Sequence, residues 1–599
     1  MLGLLVSALF AFEMSNYDIW WHLATGRHIL EHWALPATDP FSYGAGLEKP
    51  WLIISWLFAP LAYLIHSSTG VFGLVAVKGL LGTLCCAALL LRCRLHLQGS
   101  ASPTRLLPGK GGSTDDRPAE SAGHLGDWLL PLLIVILGAF AMRERFMVRP
   151  HTVGFLCLSL HLLLLDLFVT RKRWWLVPLL LNQILWVNLH PSFMVGLPVA
   201  FLYVLGEARA RRTSPRFARA CVALLAGAVC VLANPDHLAR PLYIVQMFFT
   251  QQLQEVREYG ALSLGSASPL QVVFLALAAL ALVLCAAQRR YTQAALIVLF
   301  GWLGISSMRF FSMLVIATVP LLPAVTERHA RPLTRRLRQH PRLRSAIAIA
   351  FAALLVGIAA RSRPAWGFGV SPFVYPERSV DYVQRMGFLE RGNGRIFNSY
   401  NFGGYLIWRL HPRRKVFIDG RVHLFYGEPL SRYLLLAKRP DQWHEIVNRQ
   451  NLDLAIVRYP NLGADGKLYN DTSRLFAGDT WVLLYMDDVA IVYARADTLS
   501  PRERRELPFR LLDPQRLDPQ YLCPQLQSRQ AFGALMGELD RAMSLAPRSY
   551  RLHFLRAWLF AQIGRHGEAI ADLKQCLEIN PDVENARRIL RVAYGIGEL

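Results

Sequence analysis

The residues that could do chemistry sit in short polar segments between apolar ones. The first reads Asn16-Tyr17-Asp18-Ile19-Trp20-Trp21-His22-Leu23-Ala24-Thr25-Gly26-Arg27 and resumes as Pro36-Ala37-Thr38-Asp39-Pro40-Phe41-Ser42. The second reads Arg143-Glu144-Arg145-Phe146-Met147-Val148-Arg149-Pro150-His151, the third Asn188-Leu189-His190, and the fourth opens Asn234-Pro235-Asp236-His237. The fifth is Met308-Arg309-Phe310. Arg143, Arg145, Arg149 and Arg309 could clamp phosphate oxygens, because a guanidinium matches their geometry with two parallel donors. His22, His151 and His190 could hydrogen-bond a phosphate or carry protons. Asp18 could orient an acceptor or hold a divalent cation such as Mg2+ or Mn2+, and Glu144 is the further acid available to such an ion. Cationic clamps with one or two carboxylates beside lipid suit a phosphate-bearing lipid whose head group is displaced by a nucleophile. Each residue alone also reads as a snorkelling or interfacial side chain; five such segments on one face favour a site.

The elements that must position these groups are apolar. The 599 residues are 53% hydrophobic, with a mean hydropathy of +0.28 and a net charge of +23. That average excludes an ordinary soluble chain and leaves a multi-span helical membrane protein carrying soluble parts. Eleven apolar cores recur, at 1–12, 71–91, 128–141, 152–169, 174–187, 193–205, 221–233, 269–287, 294–305, 311–325 and 345–360. The segment 51–65, with Trp51, Trp56 and Pro60, reads as a juxtamembrane helix at the interface. On that assignment one set of alternate loops (92–126, 171–173, 207–219, 289–290, 327–344) holds 22 Lys/Arg and the other, containing the polar segments, holds 8. Basic residues mark the cytoplasmic side. The N-terminus is therefore expected inside and everything beyond about residue 361 outside. The positive charge needs no nucleic acid to explain it. Seven of nine cysteines lie in or beside apolar segments and no C-x-x-C occurs, so no zinc or redox motif is indicated.

With those residues in view, the first loop resembles that of integral-membrane glycosyltransferases of the C class. Asp18 just after the first span, Trp20-Trp21-His22-Leu23, Gly26-Arg27 and Asp39-Pro40-Phe41-Ser42 are the matching features. The likeness is particularly to catalytic subunits of oligosaccharyltransferases and to polyprenyl-phosphate-sugar transferases, and it covers roughly residues 1–360. It implies a catalytic Asp18, as base or metal ligand, a juxtamembrane helix at 51–65, and a lipid-linked sugar donor. The family's second loop often carries a further acidic motif; here there is Glu144 and no Asp-x-Asp.

Residues 362–375 form a Pro- and Arg-bearing linker. An α/β pattern follows over 376–500: helices at 379–387, 403–410 and 430–449, strands at 395–400, 415–419 and 452–458, and a hairpin of 481–486 with 489–494 across Asp487-Asp488. A small, mostly parallel sheet is expected. Two peptides stand out as acceptor-side candidates. One carries Tyr400, Asn401, Gly403 and Gly404, a strand-to-helix turn where backbone can approach a ligand. The other is Ile418-Asp419-Gly420-Arg421 at a strand end. The alternative is that the glycines only make the turn and that Asp419 and Arg421 pair with each other. The two peptides are reminiscent of the oligosaccharyltransferase soluble domain, but its Trp-Trp-Asp is replaced by Ser399-Tyr400-Asn401, which does not support sequon reading. After a second linker, 501–525, the stretch 526–599 repeats Leu545-Ala546-Pro547 as Ile579-Asn580-Pro581 at a spacing of 34, similar to tetratricopeptide repeats. It reads as a surface for a protein partner or as a helical cap.

The chain therefore reads as a glycosyltransferase moving sugar from a polyprenyl-phosphate-linked donor to a glycan, lipid or protein hydroxyl, on the outer face of a bacterial inner membrane. A glycan polymerase or ligase, and a non-enzymatic scaffold presenting the helical tail, are the competing readings. Asp18, His22, Arg149, His190 and Arg309 are expected to converge.

Overall fold

Runs of Leu, Ala and Val interrupted by Pro and Gly dictate helices in the first 360 residues, and the computed structural model shows them. It describes residues 2–44, 50–100, 128–248, 260–262, 265, 267–327, 332, 339–361, 366–391, 394–425, 433, 436, 441–462, 468–469, 473–476, 479–514 and 519–596. Two compact units are discontinuous in sequence. The first comprises Met1–Asn16, Thr25–Leu35 and Leu52–Ser371; the second comprises Tyr17–Ala24, Pro36–Trp51 and Pro372–Leu599.

The α-helices named among the described residues up to 361 are α1 (Leu2–Phe10), α2 (Asp18–His32), α3 (Phe58–Ser100), α4 (Leu129–Met142), α5 (Pro150–Thr170), α6 (Leu176–Leu189), α7 (Gly196–Arg211), α8 (Pro215–Val231), α9 (Ala239–Phe248), α10 (Pro269–Ala287), α11 (Tyr291–Ser306), α12 (Phe311–Thr318) and α13 (Pro341–Arg361), with further helical residues at 322–327. Among the described residues four stretches are long and apolar enough to cross a membrane: Phe58–Gln98, Pro150–Thr170, Pro191–Arg211 and Pro269–Ala287. α3 is broken at Gly70, whose φ of +63° and ψ of −154° only glycine adopts readily. The segment expected to lie at the interface thus ends in a helix that stops at this break. Trp56 Nε1 donates to Asn188 Oδ1 at 2.8 Å, and Leu57 N to the Asn188 carbonyl at 3.3 Å, fixing its start.

Arg92, counted above as a loop residue, lies inside α3 because that helix runs on to Ser100. Its Nε donates to Asp166 Oδ2 at 2.7 Å, and Tyr203 donates to Asp166 Oδ1 at 2.5 Å. One carboxylate thereby ties α3, α5 and α7. Burying such charges is unfavourable unless they pair, which is why they meet.

In the second unit, α14 (Glu377–Arg385) precedes β1 (Arg395–Asn398), followed by α15 (Gly403–Leu410), α16 (Asp441–Gln450) and β2 (Leu452–Arg458). β3 (Trp481–Met486) and β4 (Ala490–Arg495) form the expected hairpin. The sheet order is β1-β2-β4-β3, with only β1–β2 parallel. The expected mostly parallel sheet is therefore corrected to a mixed one. The reason lies in 415–419, which is not a ladder strand. Val416 N donates to Phe41 O and Tyr43 N to Val416 O, both at 3.1 Å. The Asn398 amide takes Phe417 N at 2.9 Å and Ile418 O at 2.7 Å. Val416 keeps a single parallel bridge to Ile396 of β1, and first-loop residues and one side chain take the hydrogen bonds that would extend it into a ladder. Part of the expected helix at 430–449 lies outside the described residues; the rest is α16.

The tail folds as α17 (Arg529–Leu545), α18 (Tyr550–Gln562), α19 (His566–Ile579) and α20 (Glu584–Tyr594). Asp488, in the hairpin turn, accepts from Ser549 Oγ at 2.8 Å and from Arg551 N at 3.0 Å, at the start of α18. A carboxylate on the unpaired N–H groups of a helix start satisfies them and suits the helix dipole. Asp488→Ala should cost about 1–2 kcal/mol, read as a lower melting temperature of the purified full chain; an unchanged temperature would show that the cap carries nothing.

Candidate functional site

Within the second unit, Asp18 is the first residue of α2, and His22 lies one turn on, on the same face. The first turn packs on the two peptides singled out in the sequence. A methyl group on Gly404 would sit 2.7 Å from Tyr17 O, and one on Gly420 would sit 2.5 Å from Asp18 Oδ1. At Gly404 a side chain would meet fixed backbone, whereas at Gly420 it would force the Asp18 carboxylate to shift. At Gly403 a methyl group would come closer still, against Ile418 O. The Asp18 carboxylate therefore rests on the backbone of the 418–421 turn. Tyr400 and Asn401 lie in the short turn before α15, with Tyr400 N donating to Tyr433 Oη at 3.0 Å.

Aromatic rings hold this turn of α2. Trp20 meets Tyr405 edge-on at 5.1 Å and Tyr375 at 5.3 Å, and Tyr17 meets Tyr375 at 5.6 Å. Arg458 Nη1 donates to Tyr17 Oη at 3.3 Å. Burial raises the Tyr17 phenol above its ordinary value, against the charge of Arg458. Edge-to-face ring pairs contribute about 0.5–1.5 kcal/mol each.

Beneath the 418–421 turn lies a wholly buried charge cluster. Arg421 Nη1 and Nη2 donate to the two oxygens of Asp39 at 2.7 and 3.0 Å. Arg421 Nε and Nη2 donate to Asp419 at 2.8 and 2.6 Å. The guanidinium is fully buried and lies 4.7 Å from the centre of the Trp51 ring. Burial raises the Asp39 carboxyl, but the Arg421 charge and the donors on it outweigh this, so it falls below the usual range. For Asp419 burial wins over the help from Arg421, with Asp39 adding repulsion, and the group rises. Asp419 and Arg421 are thus paired, the alternative kept open in the sequence, with Asp39 as the partner it did not name.

In the first unit, Pro150 opens α5 with Arg149 as its extended N-cap. His151 and His190 have ring centres 6.4 Å apart. Ser192 N donates to His190 Nδ1 at 3.1 Å, so Nδ1 is the acceptor and the ring proton sits on Nε2. Burial, reinforced by the charge of Arg309, pushes the His190 imidazole down to about 3. A neutral ring with its N–H on Nε2 can donate to an anionic oxygen. His151 Nε2 meets the Arg145 carbonyl. Arg143 donates to Leu9 O at 3.1 Å and lies 4.8 Å from the Phe12 ring centre, while Glu144 is exposed.

Two residues escaped the sequence reading. Asp39 was quoted only as part of a motif, although Asp-Pro marks a turn. Gly420 stood in the quoted Ile418–Arg421 peptide, but its closeness to Asp18 had no local signal. Lys78, a charge within an apolar run, donates to Phe12 O at 2.7 Å. Among the described residues no three His, Cys, Asp or Glu side chains gather as a metal-holding group. Asp18 and Glu144 fall in different units. The described residues thus give no three-donor set for the cation that the first-loop resemblance implies.

The geometry defines a helical membrane chain in which Tyr17–Ala24 and Pro36–Trp51 of the first polar loop share one compact unit with an α/β fold. No family model matches the chain, and no curated protein matches it. Solved structures do: it is similar to the apo oligosaccharyltransferase of Archaeoglobus fulgidus at 10% identity and a TM-score of 0.46, over 76% of this chain and 69% of that one. It is similar to the same enzyme tethered by a disulfide bond to an acceptor peptide containing the NVT sequon, at 9% identity and a TM-score of 0.48, over 81% and 78%.

Arg421→Met should leave two buried carboxylates facing each other and cost about 3–5 kcal/mol, measured by denaturant unfolding; a loss below about 1 kcal/mol would contradict the pairing. Gly420→Ala should cost less, about 1–3 kcal/mol, because one carboxylate must shift; wild-type stability would mean that Asp18 does not rest there.

Proposed function

We propose that the chain is an integral-membrane glycosyltransferase that moves a sugar from a polyprenyl-phosphate-linked donor to an acceptor hydroxyl on a glycan, lipid or protein. The observation that carries the reading is the Asp18 carboxylate, held at a helix start against Gly420 and beside the Tyr400–Gly404 turn. A base must be fixed before its proton transfer is productive. In the proposed step the acceptor oxygen attacks the anomeric carbon while Asp18 takes its proton. The bond from that carbon to the phosphate oxygen breaks, and the lipid phosphate leaves with the electron pair.

His22, Arg143, Arg145, Arg149, His151, His190 and Arg309 are assigned to the donor phosphate, with neutral His190 as a donor of Nε2–H. Their role is to stabilise charge as it develops on the leaving group. Tyr400, Asn401, Gly403 and Gly404 are assigned to the acceptor side, and Asp419 and Arg421 support that side through the buried cluster. A divalent cation stays part of the reading only through the resemblance of the first loop. The tail is assigned to a protein partner. The membrane is taken to be a bacterial inner membrane, and the excess of Lys/Arg in one set of loops supports a cytoplasmic N-terminus with residues beyond 361 outside.

Asp18→Asn should lower transfer by roughly 10²–10⁴-fold and leave the protein accumulating normally. Mass spectrometry of lipid-linked sugars in cells carrying only this variant should show the donor building up. Wild-type levels of donor and product would overturn the assignment. A reporter fused after Arg361 should be active outside the cytoplasm; activity confined to the cytoplasm would reverse the topology.

A further inference from the structure

We infer that the last turn of α2 binds a late first-row divalent metal ion through His28 and His32. Both residues, with Glu31, fall within Thr25–Leu35 of the first unit. The segment His28-Ile29-Leu30-Glu31-His32 places two imidazoles at i and i+4, which a helix projects from one face. That spacing lets two side chains on one helix grip a single zinc ion. The rings already lie together, with centres 4.1 Å apart and planes 25° from parallel.

The tautomer is set for coordination. His32 Nδ1 lies 2.9 Å from the His28 carbonyl oxygen. A carbonyl only accepts, so Nδ1 carries the proton and Nε2 presents its lone pair. A ligating histidine usually has its other nitrogen anchored in this way. His28 is half-buried and His32 is exposed, so an ion can reach them. Glu31, one residue before His32, brings negative charge to the same turn.

The pattern H-x-x-E-H also occurs in zinc peptidases. Those need a third protein ligand, and among the described residues no such group of three is present. The site is therefore assigned to binding, with water completing the coordination, and not to hydrolysis. Two imidazoles favour copper over nickel and zinc, following the Irving–Williams order. This assignment does not depend on the transferase reading.

The test is calorimetric titration of CuCl2 and ZnCl2 into the purified full chain, freed of any affinity tag. Wild type should bind one more equivalent than the variant His28→Gln/His32→Gln, and tighter for Cu2+ than for Zn2+. Each single variant, His28→Gln or His32→Gln, should weaken that equivalent at least about tenfold, or ~1.4 kcal/mol. Exposed His32 makes its variant the safeguard against misfolding, checked by an unchanged melting temperature. Equal stoichiometry and affinity in wild type and double variant, or no binding by wild type, overturns the site.

Discussion

One buried guanidinium organises the second unit. Arg421 is fully shielded from water and faces two carboxylates, Asp39 and Asp419. A charge taken out of water is several kcal/mol uphill unless its partners meet it with good geometry. Here donors of Arg421 reach both oxygens of each carboxylate. Asp39 is further satisfied by Phe41 N at 3.0 Å and by Ser42. Such a cluster specifies one arrangement, because any slip of 36–51 along 415–421 would strand a buried charge.

The rest of the unit follows from that constraint. With Asp39 pinned, Phe41 and Tyr43 fall opposite Val416 and take its backbone groups. Tyr43 then reaches the Ile396 carbonyl at 2.7 Å, linking the loop segment to β1. The 418–421 turn is held from below by Arg421 and touched from above by Asp18 at Gly420. The catalytic assignment thus rests on a turn whose flanking residues, Asp419 and Arg421, belong to a buried ion cluster. That is the arrangement a positioned base requires.

What could be read in the sequence was what depends on local pattern. Apolar periodicity located the helices, the Asp487-Asp488 turn located the hairpin, and Pro150 located the start of α5. Asp18 was marked by its place after the first span, and the 398–408 and 418–421 peptides by glycines and charges at strand ends, with turn-making and an Asp419–Arg421 pair as the alternative. What could not be read depends on partners far apart in the chain. Asp39 and Arg421 are 382 residues apart, and nothing local says that they meet. The same holds for the sheet: a run like 415–419 looks like a strand until the first loop takes its hydrogen bonds. Arg92 was misplaced for a similar reason, since its partner Asp166 is 74 residues away.

The central claim is that the Asp39–Arg421 contact couples the first polar loop to the α/β unit. A double-mutant cycle of Asp39→Asn, Arg421→Gln and the pair, read by denaturant unfolding of the full chain, measures it directly. The account predicts a coupling of about 2–3 kcal/mol, within the range for residues in one ion network. Effects that add to within about 0.5 kcal/mol would mean that the two side chains do not interact, and would contradict it.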